Sequence, residues 1–104
     1  MIKHVVCWDL YEQAAGRDKA TNASLIKAEL LALKELIPQV RSVEVGINAE
    51  SADPDNYDVV LIAEFDSFED LKRYSSHSEH LRFVKFISEL RRHRIAVDYE
   101  TSRS

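Results

Sequence analysis

Apolar residues recur along this chain at two spacings, and the switches between them mark its elements. From Ile2 to Leu10 one alternating set is Ile2, His4, Val6 and Trp8, and the other is Lys3, Val5, Cys7 and Asp9. Both sets are rich in strand formers, which predicts a central strand apolar on both sides. Tyr11 to Lys19 is polar, contains Gly16 and reads as a loop. Ile26, Leu30, Leu33 and Ile37 then repeat at the helical period, flanked by Leu25 and Leu36. They predict a helix capped by Thr21 or Asn22 and stopped by Pro38. Val43, Val45 and Ile47 alternate with polar residues and Gly46 as a half-buried strand, and Ala49 to Asn56 reads as an exposed hairpin loop.

Tyr57 to Asp66 is a second two-faced strand, with Tyr57, Val59, Leu61, Ala63 and Phe65 opposite Val60 and Ile62. Ser67 to Asp70 has the form of a capping box, and the helix it opens turns Phe68, Leu71 and Tyr74 inward. Ser75-Ser76-His77-Ser78 interrupts it, and Ser78 caps a further helix carrying Leu81, Phe83, Val84, Phe86 and Ile87. Arg94 to Glu100 alternates Ile95, Val97 and Tyr99 against Arg94, Ala96 and Asp98 as the last strand, and Thr101 to Ser104 reads as a frayed tail.

The order β-α-β-β-α-α-β predicts one α+β domain over residues 1–104, a ferredoxin-like four-stranded antiparallel sheet. Its middle strands are the first and third, the two that are apolar on both sides. Helices cover one sheet face only. The other carries Val5, Cys7, Val60, Ile62, Ile95, Val97 and Tyr99, and leaving these wet costs many kcal/mol at about 25 cal/mol per Å². A homodimer packed through that face is the expectation.

Composition narrows the partners. The chain has 104 residues, 14 basic and 18 acidic, for a net charge of -4. That balance disfavours nucleic acid, and the Arg91, Arg92, Arg94 cluster is short. Cys7 is the single cysteine and reads as an inert buried thiol in a reducing compartment. No stretch approaches the length of a membrane span, and the first residues enter a strand rather than a signal peptide. A cytoplasmic protein without membrane contact is expected.

The run Ile2-Lys3-His4-Val5-Val6, the segments Val43 to Asn48 and Tyr57 to Leu61, and Phe65, Leu71, Tyr74, His77 to His80 and Val97-Asp98-Tyr99 together resemble the stress-responsive A/B barrel domain (Dabb) family. It is part of the dimeric α/β-barrel superfamily. The resemblance spans nearly the whole chain. It implies a homodimer whose two sheets form a barrel with helices outside. The family includes a plant polyketide cyclase that performs an intramolecular aldol closure without a cofactor. Its proposed catalytic pair corresponds to Tyr74 and His80, with residues near the site at His4 and Asp98. One further pocket histidine of that enzyme is Val59 here, and the family's His-Pro turn is His77-Ser78. Monooxygenase relatives in the superfamily imply heme or oxygen chemistry, for which this chain has no distinctive residue beyond Trp8 and His4.

The residue types fit proton transfer. His80 can act as the base, Tyr74 as the donor to a developing oxyanion, and Asp98 can orient an imidazole such as His4. Val6, Trp8, Val59, Leu61 and His77 would line the pocket. In the structural alternative, His77 and His80 satisfy free N–H groups at a helix start, and Tyr74 is a core residue. His77-x-x-His80 offers too few ligands for a closed zinc site, so no metal and no cofactor is expected. His93 reads as a solvated strand-entry residue. The resulting expectation is a dimeric domain that holds a small apolar or aromatic ligand between sheet and helices. The alternative is a cofactor-independent cyclase or isomerase.

Overall fold

Alternation governs the first strand, β1 (Ile2–Leu10), where every second side chain from Ile2 through His4, Val6 and Trp8 to Leu10 is buried. The structure, a computed structural model, describes residues 1–101. A short hairpin follows, β2 (Gln13–Ala14) and β3 (Arg17–Asp18), then α1 (Lys19–Leu36), β4 (Ser42–Ile47) and β5 (Val59–Phe65). The chain closes with α2 (Phe68–Ser76), α3 (Ser78–Ser88) and β6 (Arg91–Glu100). The four long strands form an antiparallel sheet in the order β4-β5-β1-β6, the ferredoxin-like arrangement. Its central strands are the two with apolar residues on both sides.

Register sorts the sheet into rows. On the helix-facing side lie Ala63–His4–Asp98, Leu61–Val6–Ala96 and Val59–Trp8–Arg94. On the outer side lie Ile62–Val5–Val97 and Val60–Cys7–Ile95. The inner rows of β1 and β5 pack against Ile26, Leu30 and Leu33 of α1, Leu71 and Tyr74 of α2, and Phe83 and Ile87 of α3. Nearly all of β6 is exposed, so the helices leave the inner face open along that edge.

Several boundaries differ from the expected ones. Asp18, not Thr21 or Asn22, caps α1, its carboxylate accepting the Thr21 N–H at 2.8 Å. The first turn is polar, so the apolar period begins one turn late. Asn22 is buried instead and ties the helix to the hairpin, accepting from Arg17 Nε at 2.8 Å and donating to the Ala14 carbonyl at 3.1 Å. The hairpin lies within the stretch read as a loop, and both its turn residues have positive φ, Ala15 at 54° and Gly16 at 75°. That is the pattern of the mirror-image turns that join twisted strands.

His77, not Ser78, caps α3, with Nδ1 accepting the Glu79 N–H at 3.1 Å. Phe68 is exposed rather than inward. It begins α2, and helical side chains tilt toward the N-terminus, off the layer the helix covers. In α3 the buried stripe is Phe83 and Ile87, four apart; Leu81 is exposed because it falls about 200° from Phe83 at roughly 100° per residue. β6 begins at Arg91 rather than Arg94. Thr101 is tethered, its N–H donating to the Met1 carbonyl at 2.9 Å, while the rest of the expected tail, 102–104, lies outside the described residues.

Candidate functional site

His4 sits mid-strand on β1, directly across from Ala63 on one side and Asp98 on the other. Facing positions on one sheet side bring side chains together, and His4 Nδ1 is hydrogen-bonded to Asp98 Oδ1. The carboxylate only accepts, so His4 donates from Nδ1, leaving Nε2 free. His4 is almost wholly buried. Phe65 and Tyr74 flank its ring edge-on, with centroids 6.3 and 6.1 Å away.

Tyr74 and His80 come from the two helices that meet at the His77 break, and their rings lie 4.4 Å apart. His80 Nδ1 donates to the Ser75 carbonyl at 3.0 Å, which leaves a lone pair on Nε2. Burial pushes His80 below the usual histidine pKa, and the neighbouring His4 and Arg94 push it the same way against the Ser75 hydrogen bond. Burial pushes Tyr74 up to about 12, with Arg94 opposing. Near neutral pH this site therefore holds a neutral imidazole beside a protonated phenol. The Tyr74 side chain is 3% exposed, yet its hydroxyl bonds to no described residue. Among the described residues no enclosed side-chain oxygen or nitrogen lacks a partner, so that hydroxyl must open onto solvent-accessible space.

The space is a cavity of about 300 Å³ between the inner sheet face and the α2–α3 pair. It joins His4, Tyr74 and His80 with an apolar wall that includes Val6, Trp8, Leu61, Phe83 and Ile87. Its size is at the lower end of small-ligand pockets, about 300–1,000 Å³. Two expected lining residues are elsewhere. Trp8 separates Val59 from the cavity within their row, and His77 is spent on capping α3. His93 lies outside it, 3.3 Å from Asp9. Cys7 is on the opposite sheet face, where burial pushes its thiol pKa up. Among the described residues no three His, Cys, Asp or Glu side chains converge as a metal site would require, and no helix is long and apolar enough to cross a membrane.

Sequence reasoning did not place Phe83 and Ile87, read only as helix residues, Arg91, read only in a short basic cluster, or Arg94, read in that cluster and on the Asp98 face of the last strand, at the cavity; all four line it. The available signal for Arg94 was its even spacing from Asp98, which puts both on one face of β6.

The family described as the Stress Responsive A/B Barrel Domain matches residues 2–101. A crystal structure of a dimeric protein of unknown function with a ferredoxin-like fold, from Bacteroides fragilis, is 31% identical. It superposes with a TM-score of 0.83 over 96% of this chain and 95% of that one. A dimeric ferredoxin-like protein of unknown function from Thermobifida fusca is 20% identical, with a TM-score of 0.81 over 96% of this chain and 90% of its own. A hydroxynitrile lyase from Passiflora edulis shares the fold at 14% identity, with a TM-score of 0.77 over 99% and 94%. No curated protein sequence matches the chain.

Proposed function

The chain belongs to the stress-responsive A/B barrel domain family, and from that footing we propose that it is a homodimeric protein whose protomers each hold a small apolar or aromatic molecule. One observation carries the ligand reading. The cavity has an apolar wall, and the polar groups that open beside it include reactive atoms with no protein partner among the described residues, such as the Tyr74 hydroxyl, His80 Nε2 and His4 Nε2. A pocket so built holds an apolar body and orients it by one oxygen. Trp8 is the only tryptophan and lies in the wall, so its indole N–H signal in a nitrogen-labelled sample reports occupancy. Small aromatic ketones and phenols should move that signal in the wild type and not in His80→Ala. If none moves it at millimolar concentration, the ligand reading fails.

The outer sheet face supports the homodimer. Ile95, Val97 and Tyr99 are 56%, 61% and 44% exposed beside the half-buried Val5, Cys7, Val60 and Ile62. The Bacteroides relative is described as dimeric. A single-chain mass by light scattering at micromolar concentration would remove this part. The free thiol of Cys7 suits a reducing compartment, which favours the cytoplasm.

The Tyr74–His80 pair favours a second reading, a cofactor-independent cyclase- or isomerase-like enzyme. A neutral imidazole can take a proton next to a carbonyl while the phenol O–H donates to the developing enolate oxygen. Related folds include an enzyme, the Passiflora lyase. With acetophenone in heavy water, the wild type should exchange the methyl protons above the buffer rate, and Tyr74→Phe and His80→Ala should not. Exchange at the buffer rate in all three proteins rejects the enzymatic reading.

A further inference from the structure

Two arginines line the cavity, Arg91 and Arg94. Every other described arginine has a partner: Arg17 with Asn22, Arg41 with Asp66, Arg73 with Glu69, Arg82 with Glu79, and Arg92 with Asp9. The guanidiniums of Arg91 and Arg94 have no hydrogen bond or ion pair with any described residue. A guanidinium is a planar fork that suits a carboxylate or phosphate, and two forks without a protein partner at one cavity, Arg91 half-buried and Arg94 exposed, are available to an anion.

A break in register puts both on the cavity side. Three residues apart, they would face opposite ways along a regular strand. β6 shifts register against β1 between Asp9 and Leu10, so that Arg94 pairs with Trp8 and Arg91 with Leu10, both inward residues. The extra residue is Arg92, which turns away to Asp9 at 3.1 Å. Bulges commonly re-aim side chains in this way. No Asp or Glu lines the cavity, and nearby Asp98 is occupied by His4. A chain of net charge -4 thus keeps a locally cationic pocket. Arg94 is also close enough to act electrostatically on both Tyr74 and His80.

We infer that the cavity is a site for an amphipathic organic anion, an aryl or alkyl carboxylate whose head meets Arg91 and Arg94 while its body lies on Trp8, Phe83 and Ile87. This rests on the ligand reading above and narrows it to a chemical class.

The test compares 2-naphthoate with the neutral, nearly isosteric 2-naphthamide on the full-length protein, following the Trp8 indole signal in low-salt buffer. Both should shift it, with naphthoate saturating at a concentration at least about tenfold lower, as expected for a charge-assisted contact. Arg91→Gln and Arg94→Gln should each erode that preference, and the double variant should abolish it while naphthamide binding stays unchanged. Arg92→Gln should leave both affinities alone. Equal affinities in the wild type, or a preference that survives the double substitution, overturn the anion site and leave the cavity as a ligand site. If neither compound moves the Trp8 signal, both readings fall together.

Discussion

Tyr74 and His80 are adjacent aromatic side chains with opposite hydrogen-bond situations, and stability measurements separate them. Tyr74 is a buried residue whose hydroxyl opens onto the cavity and has no hydrogen-bond partner among the described residues. Removing a group without a protein partner forfeits no protein hydrogen bond. Tyr74→Phe should therefore unfold within about 0.5 kcal/mol of the wild type, or later, in urea. A loss well beyond that would give the hydroxyl a structural role. His80 carries a pH signature. Its folded pKa lies below the unfolded value of 6.5, chiefly from burial. In the window between the two the unfolded state binds more protons, so stability falls as pH drops from about 6.5 through the folded pKa. The groups acting on the ring are the Ser75 carbonyl, His4 and Arg94, with the Tyr74 ring tilted against it at 46°. His80→Gln should flatten the decline in urea midpoint between pH 7 and pH 5, whereas parallel wild-type and variant curves would contradict the shift.

At the scale of elements, the short hairpin contains the one described non-glycine residue with positive φ, Ala15. An L-residue there carries a penalty of about 1–2 kcal/mol, which Asn tolerates better. Ala15→Asn creates the Asn-Gly pair preferred in such turns and should raise stability by roughly 0.5–1 kcal/mol by chemical denaturation. No gain would mean that the hairpin does not close in solution. The same hairpin marks where sequence reading stops. β1 and β5 were legible because nine and seven residues of strict alternation leave no other period. Two-residue strands have no period to read, so β2 and β3 appeared as loop. The start of β6 was hidden for a related reason. Arg91 and Arg92 are both charged, so nothing in their types separates the inward residue from the outward one. Only pairing against β1 does. His4, Tyr74, His80 and Asp98 were placed near one another through family resemblance and alternation. The capping role of His77 was legible as the structural alternative because it is local, Nδ1 accepting the N–H two residues on, whereas the shielding of Val59 by Trp8 was not, because it depends on three-dimensional neighbours.

On the scale of the whole molecule, the sheet divides labour between its faces. The inner rows hold the polar groups of the cavity, and the outer rows run unbroken from Ile62 through Val5 to Val97 and from Val60 through Cys7 to Ile95. Fully burying a side chain of the Val or Ile type is worth about 1.5–3 kcal/mol relative to leaving it exposed. Val97 at 61% exposure and Ile95 at 56% hold much of that in reserve for a partner. In a two-fold interface each substitution occurs twice. Val97→Asp would therefore place two carboxylates in an apolar contact, a penalty of several kcal/mol. In the isolated chain Val97 is already in water, and an Asp there disturbs little. Val97→Asp should therefore shift the light-scattering mass from two chains to one at micromolar concentration. The indole signal of Trp8, on the far side of the sheet, should keep its dispersed position. If the mass stays at two chains, the outer face is not where the copies meet. If the indole signal collapses with the mass, a lone protomer cannot hold the cavity together, and the two faces are coupled rather than separate.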